Sequence, residues 1–181
     1  MRRLVTAALA ASLLSAAPAL AAEPPAAAGP GGNAFVGWAI LGWESSVGLG
    51  ASFQLPLVPQ GLIHDPGFKL RDSLDLDLGL DYLSYWDSFH SGPYTYDVSE
   101  FDLHAGLIWN FWLTPKAALY PKVGLGYAIA HYSGDTSYGH VDYGGLYPEL
   151  AVGGQLQLAP GVSLRGELGW AGLKLGVGFS F

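Results

Sequence analysis

Two short stretches gather side chains that could do chemistry. Asp87-Ser88-Phe89-His90-Ser91 holds a hydroxyl nucleophile, an imidazole base and an orienting acid within five residues, the groups that acyl transfer on a lipid ester requires. The same residue types are ordinary members of solvated turns, and His104 beside Asp102 is more simply an ion pair, so no catalytic residue is assigned. His131, Asp135, His140 and Asp142 could converge as nitrogen and oxygen ligands. Their spacing matches no compact metal motif, and the chain is read without a metal or a cofactor. Tyr94, Tyr96, Tyr132, Tyr138, Tyr143 and Tyr147 flank both stretches and offer large amphipathic side chains for recognition or for contact with lipid headgroups.

A third set of reactive residues is spread along the chain with a period of two. Asp75, Asp77 and Asp81 alternate with Leu74, Leu76, Leu78, Leu80 and Tyr82; Asp102 and His104 alternate with Phe101, Leu103, Ala105, Leu107, Trp109 and Phe111. Lys122, Glu149, Arg165, Glu167 and Lys174 fall at the same parity in later segments, opposite Leu119, Val123, Leu125, Tyr127 and Ile129, then Leu146, Leu150, Val152, Leu156 and Leu158, then Val162, Leu164, Leu168 and Trp170. Successive strand side chains point to opposite faces, so the pattern predicts strands with one continuous apolar face and one that carries every strand charge. Carboxylates outnumber permanent cations on that face, and such charges must satisfy one another. A packed, salt-bridged interior is expected, with an acid-lined ion or proton path as the alternative. Gly48, Gly50, Gly79, Gly106, Gly124, Gly126 and Gly153 are expected to leave room for water.

The elements that must position these residues number about eight, near 34–43, 46–57, 73–86, 98–113, 117–132, 144–158, 162–170 and 172–181. Thr114-Pro115-Lys116, Ala159-Pro160-Gly161 and Ala171-Gly172 supply the turn chemistry between them. An even count returns the chain to the side where it began. The first segment, Phe35 to Trp43, is apolar on both faces and leaves its register open. The segment from Pro56 to Asp72 is long for a turn on the side where small barrels have short ones, and it implies a partner or an early failure of strand parity.

Composition separates a membrane barrel from a soluble one. Charged residues are 13% of the chain, about half the ~25% of soluble domains, and lysine occurs only at Lys69, Lys116, Lys122 and Lys174. There are too few charges to coat a soluble exterior. Met1-Arg2-Arg3, the apolar run Leu4 to Leu14 and Ala19-Leu20-Ala21 read as a secretory signal peptide over residues 1–21, the apolar run being well short of the ~20 residues of a spanning helix. Residues 22–33 read as a disordered Ala/Pro/Gly-rich periplasmic lead, and 34–181 as the barrel. Without Arg2 and Arg3, six basic residues face 15 acidic ones, which makes a poor nucleic-acid binder. With no cysteine in the chain, neither acylation nor a disulfide framework is available.

Leu173, Leu175, Val177, Phe179 and Phe181 form a last apolar stripe ending on an aromatic residue. In this ending, in the aromatics Trp43, Tyr82, Trp86, Tyr127 and Trp170 toward one rim and Phe35, Trp109, Phe111, Phe179 and Phe181 toward the other, and in the alternation throughout, the chain resembles the small OmpA/OmpX-type outer-membrane β-barrels. That resemblance implies an all-β fold, a single antiparallel transmembrane barrel of about eight strands in an up-and-down meander, located in the bacterial outer membrane. It further implies a membrane-assembly signal at Leu175, Val177, Phe179 and Phe181 read by the barrel assembly machinery, and contact with outer-membrane lipid and lipopolysaccharide. Surface ligands at the outer loops would be further partners. It also implies a structural or surface-interaction role without catalysis; a lipid-modifying enzyme and a narrow pore are the alternatives.

Overall fold

Alternating large apolar and small or polar residues cannot bury one stripe of a helix, but they suit a sheet with two unlike faces, and that is how the chain folds. The computed structural model describes residues 32–43, 45–63, 70–91, 94–134 and 141–181, with backbone alone described for 86–91, 94–96, 133–134 and 141–143. Eight strands follow in order: β1 (Ala34–Gly42), β2 (Ser46–Val58), β3 (Arg71–Ser91), β4 (Tyr94–Trp112), β5 (Ala117–Gly134), β6 (Val141–Ala159), β7 (Val162–Gly169) and β8 (Gly172–Ser180). Each pairs antiparallel with the next, and β8 pairs antiparallel with β1 to close the barrel. The expected signal peptide and nearly all of the expected lead lie outside the described residues.

The two faces have opposite chemistry. Val123, Leu125, Leu146, Leu150, Val152 and Leu175 are among the exposed outward side chains, while Asp77, Asp81, Asp102, Lys122, Arg165 and Glu167 are buried inward. Apolar side chains turned to the surroundings and charges turned inward reverse the order of a soluble protein, as a lipid surrounding requires. Trp43, Tyr82, Tyr127 and Trp170 are exposed toward the end bearing the turn 170–171, and Phe35, Phe179 and Phe181 toward the end where Asn33 and Phe181 meet. These form the upper and lower girdles; the side chain of Trp86 is not among those described.

The register of β1 is settled by the barrel. Val36, Trp38 and Ile40 point into the lumen and pack with Leu83, whereas Phe35 and Leu41 face outward. Trp38 donates from Nε1 to Ser52 Oγ at 3.2 Å, so the lumen holds an apolar patch as well as charges. β3 to β6 reach further upward than the alternation alone indicates. Tyr94 and Tyr96 lie in β4, Tyr132 in β5, and Tyr143 and Tyr147 in β6; what reads as two long loops is largely paired strand, with residues 92–93 and 135–140 outside the described segments.

The long connection after β2 is held by a residue that the charge pattern overlooks. Asp72 lies at outward parity, an exception to the uncharged outer face, yet it is buried. Its carboxylate accepts hydrogen bonds from Leu62 N at 2.7 Å, Ile63 N at 3.2 Å and Trp109 Nε1 at 2.7 Å. Gly61, with φ +79°, makes this approach possible, because a Cβ there would coincide with the Asp72 carboxyl group. Residues 61–63 therefore lie against the start of β3, and the β2–β3 pairing shifts register between Pro56 and Val58, so strand parity changes just before this segment. Between β4 and β5, Thr114 Oγ1 accepts from Lys116 N and Ala117 N and fixes the short turn.

Two changes test this architecture. Leu125→Arg, on the outer face, is expected to reduce the free energy of folding into vesicles by about 2 to 4 kcal/mol, measured by denaturant titration. Asp72→Ala strands three donors and is expected to cost about 1 to 3 kcal/mol and to increase proteolytic cleavage between residues 59 and 70; unchanged cleavage would show that the carboxylate does not hold the connection.

Candidate functional site

The barrel interior is the place where chemistry-bearing residues converge. In an eight-stranded barrel the interior is just wide enough for side chains to fill it, so each inward residue meets partners from several strands. Three tiers can be followed along the axis.

The lowest tier is mostly neutral. Asn110 donates to Asp75 Oδ2 at 2.7 Å and to Ser73 Oγ at 3.3 Å, and accepts from Gln155 Nε2 at 3.1 Å. Trp112 donates to Ser73 Oγ at 3.3 Å. Arg165 donates to Gln54 Oε1 and, through Nε, to Ser163 Oγ at 3.2 Å.

The middle tier is ionic. Lys122 Nζ lies 2.7 Å from Asp77 Oδ2 and 2.6 Å from Glu149 Oε1, with Glu167 Oε1 at 3.8 Å. Gln54 links this tier to the one below, since its Nε2 donates to Asp77 Oδ1 at 3.1 Å while its carbonyl oxygen takes the Arg165 hydrogen bond. Tyr120 OH donates to Glu167 Oε2 at 3.4 Å. His104 lies 3.4 Å from Asp77 and 3.7 Å from Asp81 and bridges upward.

In the upper tier, Lys174 Nζ lies 2.5 Å from Asp81 Oδ2. Asp102, opposite Asp81 in the β3–β4 pairing, is also buried, and its Oδ1 has no hydrogen-bond partner. Thus Asp77, Asp81, His104, Lys122, Glu149, Glu167 and Lys174 are brought together, Asp75 and Arg165 join through neutral amides, and Asp102 stands at the upper edge. Gln54, Ser73, Asn110, Tyr120 and Gln155 complete the network but were not singled out by charge. Their inward parity is the signal that would have found them.

Four of the inward glycines are seats for side chains rather than room for water, while at Gly124 the atoms close by belong to the neighbouring backbone. A Cβ at Gly126 would collide with the ring of Tyr147, one at Gly153 with the ring of Tyr120, one at Gly79 with His104 and one at Gly50 with the Asp81 carboxylate. The side chains missing from these positions are what let the large polar groups cross a narrow lumen. The other candidate groups do not form a described site. The backbone places Ser88 and His90 in β3 above the last β2 partner, and sets His131 opposite Asp142; the side chains of Asp87, Ser88, His90 and Asp142 are not described, and Asp135 and His140 lie outside the described residues. Among the described residues no group of three metal-ligating side chains converges.

A buried ion whose partner is removed is left uncompensated, whereas a pair replaced by apolar side chains is often tolerated. Lys122→Met is therefore expected to destabilise the barrel by about 3 to 5 kcal/mol, read as a lower temperature for loss of the compact band on SDS gels. Lys174→Met with Asp81→Leu is expected to lower it less than Lys174→Met alone; equal effects would show that the pair is not coupled.

No family model matches the chain, and no curated protein is similar to it in sequence. Its fold is similar to that of solved transmembrane barrels. A de novo designed transmembrane β-barrel matches with TM-score 0.56 at 16% identity, covering 85% of this chain and 98% of that one. Ail, the attachment invasion locus protein of Yersinia pestis, gives TM-score 0.48 at 13% identity over 83% and 99% of the two chains. The N-terminal β-barrel domain of OprF from Pseudomonas aeruginosa gives 0.47 at 18% identity over 85% and 100%. The designed barrel, together with the closed eight-strand meander and the apolar exterior, shows the fold to be that of a small transmembrane β-barrel.

Proposed function

We propose that this chain is an outer-membrane β-barrel protein with a structural or surface-interaction role, and that its lumen is neither a catalytic centre nor an open pore. The observation that carries this reading is the middle tier, in which Lys122 is held between Asp77 and Glu149 with Tyr120, Gln54 and His104 around it. A chain of ion-paired and hydrogen-bonded groups across a narrow barrel closes the axial route, although His104 and one oxygen of Glu149 have no hydrogen-bond partner within it, and breaking the Lys122 pairs to let an ion pass would leave uncompensated charges. The apolar exterior and its two aromatic girdles support insertion in lipid.

On this reading residues 1–21 direct secretion and are removed, and 22–33 form a lead on the periplasmic side. The stripe Leu175, Val177 and Phe179 of β8, with Phe181 just after it, is what the barrel assembly machinery engages before β8 closes against β1. The lower end faces the periplasm and the upper hairpins face outward, where they meet lipopolysaccharide and any surface ligand. No nucleic acid, cofactor or metal is invoked.

Fractionation of cells expressing the full chain is expected to recover it in the outer membrane as a band whose SDS mobility changes on boiling. In planar bilayers the purified protein is expected to be silent, and Lys122→Ala combined with Tyr120→Ala to show measurable conductance. Steady conductance by the unaltered barrel would overturn the closed-lumen reading.

A further inference from the structure

The wall of the barrel is incomplete near its upper end. The last pair joining β6 to β7 is Ala151 with Gly169, followed by a hydrogen bond from Trp170 N to Leu150 O at 3.1 Å. Above that point β6 continues through Val141, paired with β5 on one side and with no described strand on the other. β3 likewise rises beyond Tyr85, its uppermost residue paired with β2. Four tall strands, β3 to β6, thus stand beside four short ones. Within the unpaired edge of β6 lies Pro148, a residue with no N–H to offer a further strand.

The gap contains a cavity of about 750 Å³, and its lining joins the two faces of the barrel. Leu146, Leu150 and Trp170 come from the outer face, where they are 77%, 56% and 62% exposed. Glu100, Asp102 and Tyr147 come from the lumen side. Because outward and inward residues share one cavity, the notch opens sideways into the apolar belt. Its rim is fixed by Trp43, whose Nε1 donates to Gly169 O at 2.9 Å, and by Tyr147 stacked on Trp170 with centroids 6.4 Å apart.

The charge of the inner wall selects what could enter. Among the described residues, two carboxylates, Glu100 and Asp102, line the cavity, and no lysine, arginine or histidine does. Asp102 is 3% exposed with Oδ1 unpartnered, and behind it Asp81 already takes Lys174. An anionic headgroup would add to this excess of negative charge, whereas an ammonium would offset it and give the buried oxygen a donor.

We propose that the notch binds a single-chain amphiphile with a cationic head, entering sideways from the lipid, its chain along Leu146, Leu150 and Trp170 and its ammonium beside Asp102 and Glu100. The cavity reaches across the upper lumen to Ser46, Leu83 and Ala128, and the tiers below Asp102 stop the amphiphile from passing down the axis, so the side opening past Leu146 and Trp170 is its way in from the lipid. Gly145 lines the cleft, and a Cβ there would meet nothing within 4 Å; Gly145→Trp is therefore a variant that fills the cleft without disturbing the wall.

The test titrates dodecylammonium into the full barrel, folded in non-ionic detergent micelles, and follows the backbone NMR signals of Leu146, Leu150 and Trp170. Saturable shifts are expected, weakened at least tenfold in Asp102→Asn and abolished in Gly145→Trp, both variants first being shown to fold by their heat-dependent gel mobility. Dodecanoate and ethylammonium are expected to leave these signals unchanged. Equal shifts with dodecanoate, or persistence of the shifts in Gly145→Trp, would mean adsorption to the outer belt and overturn the proposal. Equal binding of ethylammonium, or undiminished affinity in Asp102→Asn, would likewise overturn it, the first by showing a small-cation site and the second by removing the role of charge.

Discussion

A sheet surrounded by hydrocarbon has no water to satisfy an open edge, and the pairing of β1 with β8 follows from that constraint. Closure at eight strands then fixes a narrow lumen. Once the lumen is narrow, polar side chains that face inward cannot stay solvated separately, and they must pair. Lys122 between Asp77 and Glu149, Lys174 on Asp81 and Arg165 on Gln54 are consequences of that geometry. The inward glycines are another, since Tyr120 and Tyr147 occupy the space opposite Gly153 and Gly126.

The strands could be read because their chemistry is simple. From Leu74 to Tyr82 every second residue is large and apolar, and the residues between are Asp75, Asp77, Gly79 and Asp81, a pattern that only a two-faced sheet accommodates. β1 resisted reading because Val36, Trp38 and Ile40 are as apolar as their outward neighbours; barrel closure, not local pattern, decides that they fill the lumen. Asp72 was missed because it serves backbone donors of the distant Leu62 and Ile63, a relation that no periodicity records. The identity of each lumen partnership also escaped the sequence: Gln54 links Asp77 to Arg165 across residues more than a hundred positions apart. Parity says which side chains share the interior, while strand tilt and stagger say which of them touch.

The unequal height of the strands gives the molecule two different ends. At the lower end Asn33 and Phe181 are joined by a backbone hydrogen bond, and the 59–63 segment is tied to β3 by Asp72. At the upper end four strands stand clear of the other four, and the lumen meets the outer face through the cleft beside Trp170. On the proposed reading, a barrel closed along its axis and open at its side has little to offer as a conduit but a good deal as a binding surface, and the carboxylates Glu100 and Asp102 in the cleft give that surface a sign.

The central claim is that one face of every strand meets lipid and the other meets a sealed polar interior. Since the chain has no cysteine, single cysteines can be introduced without background: spin-labelled at the outward positions 123, 125 and 127 of β5, with accessibility measured in bilayers to oxygen, which enters lipid, and to a nickel chelate, which stays in water, and unlabelled at the inward, buried Ser52, with its reaction followed against a water-soluble maleimide. Outward labels accessible to oxygen alone, together with an unreactive Ser52→Cys thiol, is the result predicted. Rapid reaction of that thiol would mean a water-filled pore, and outward labels accessible to the nickel chelate would mean that the apolar face does not meet lipid; either contradicts the account.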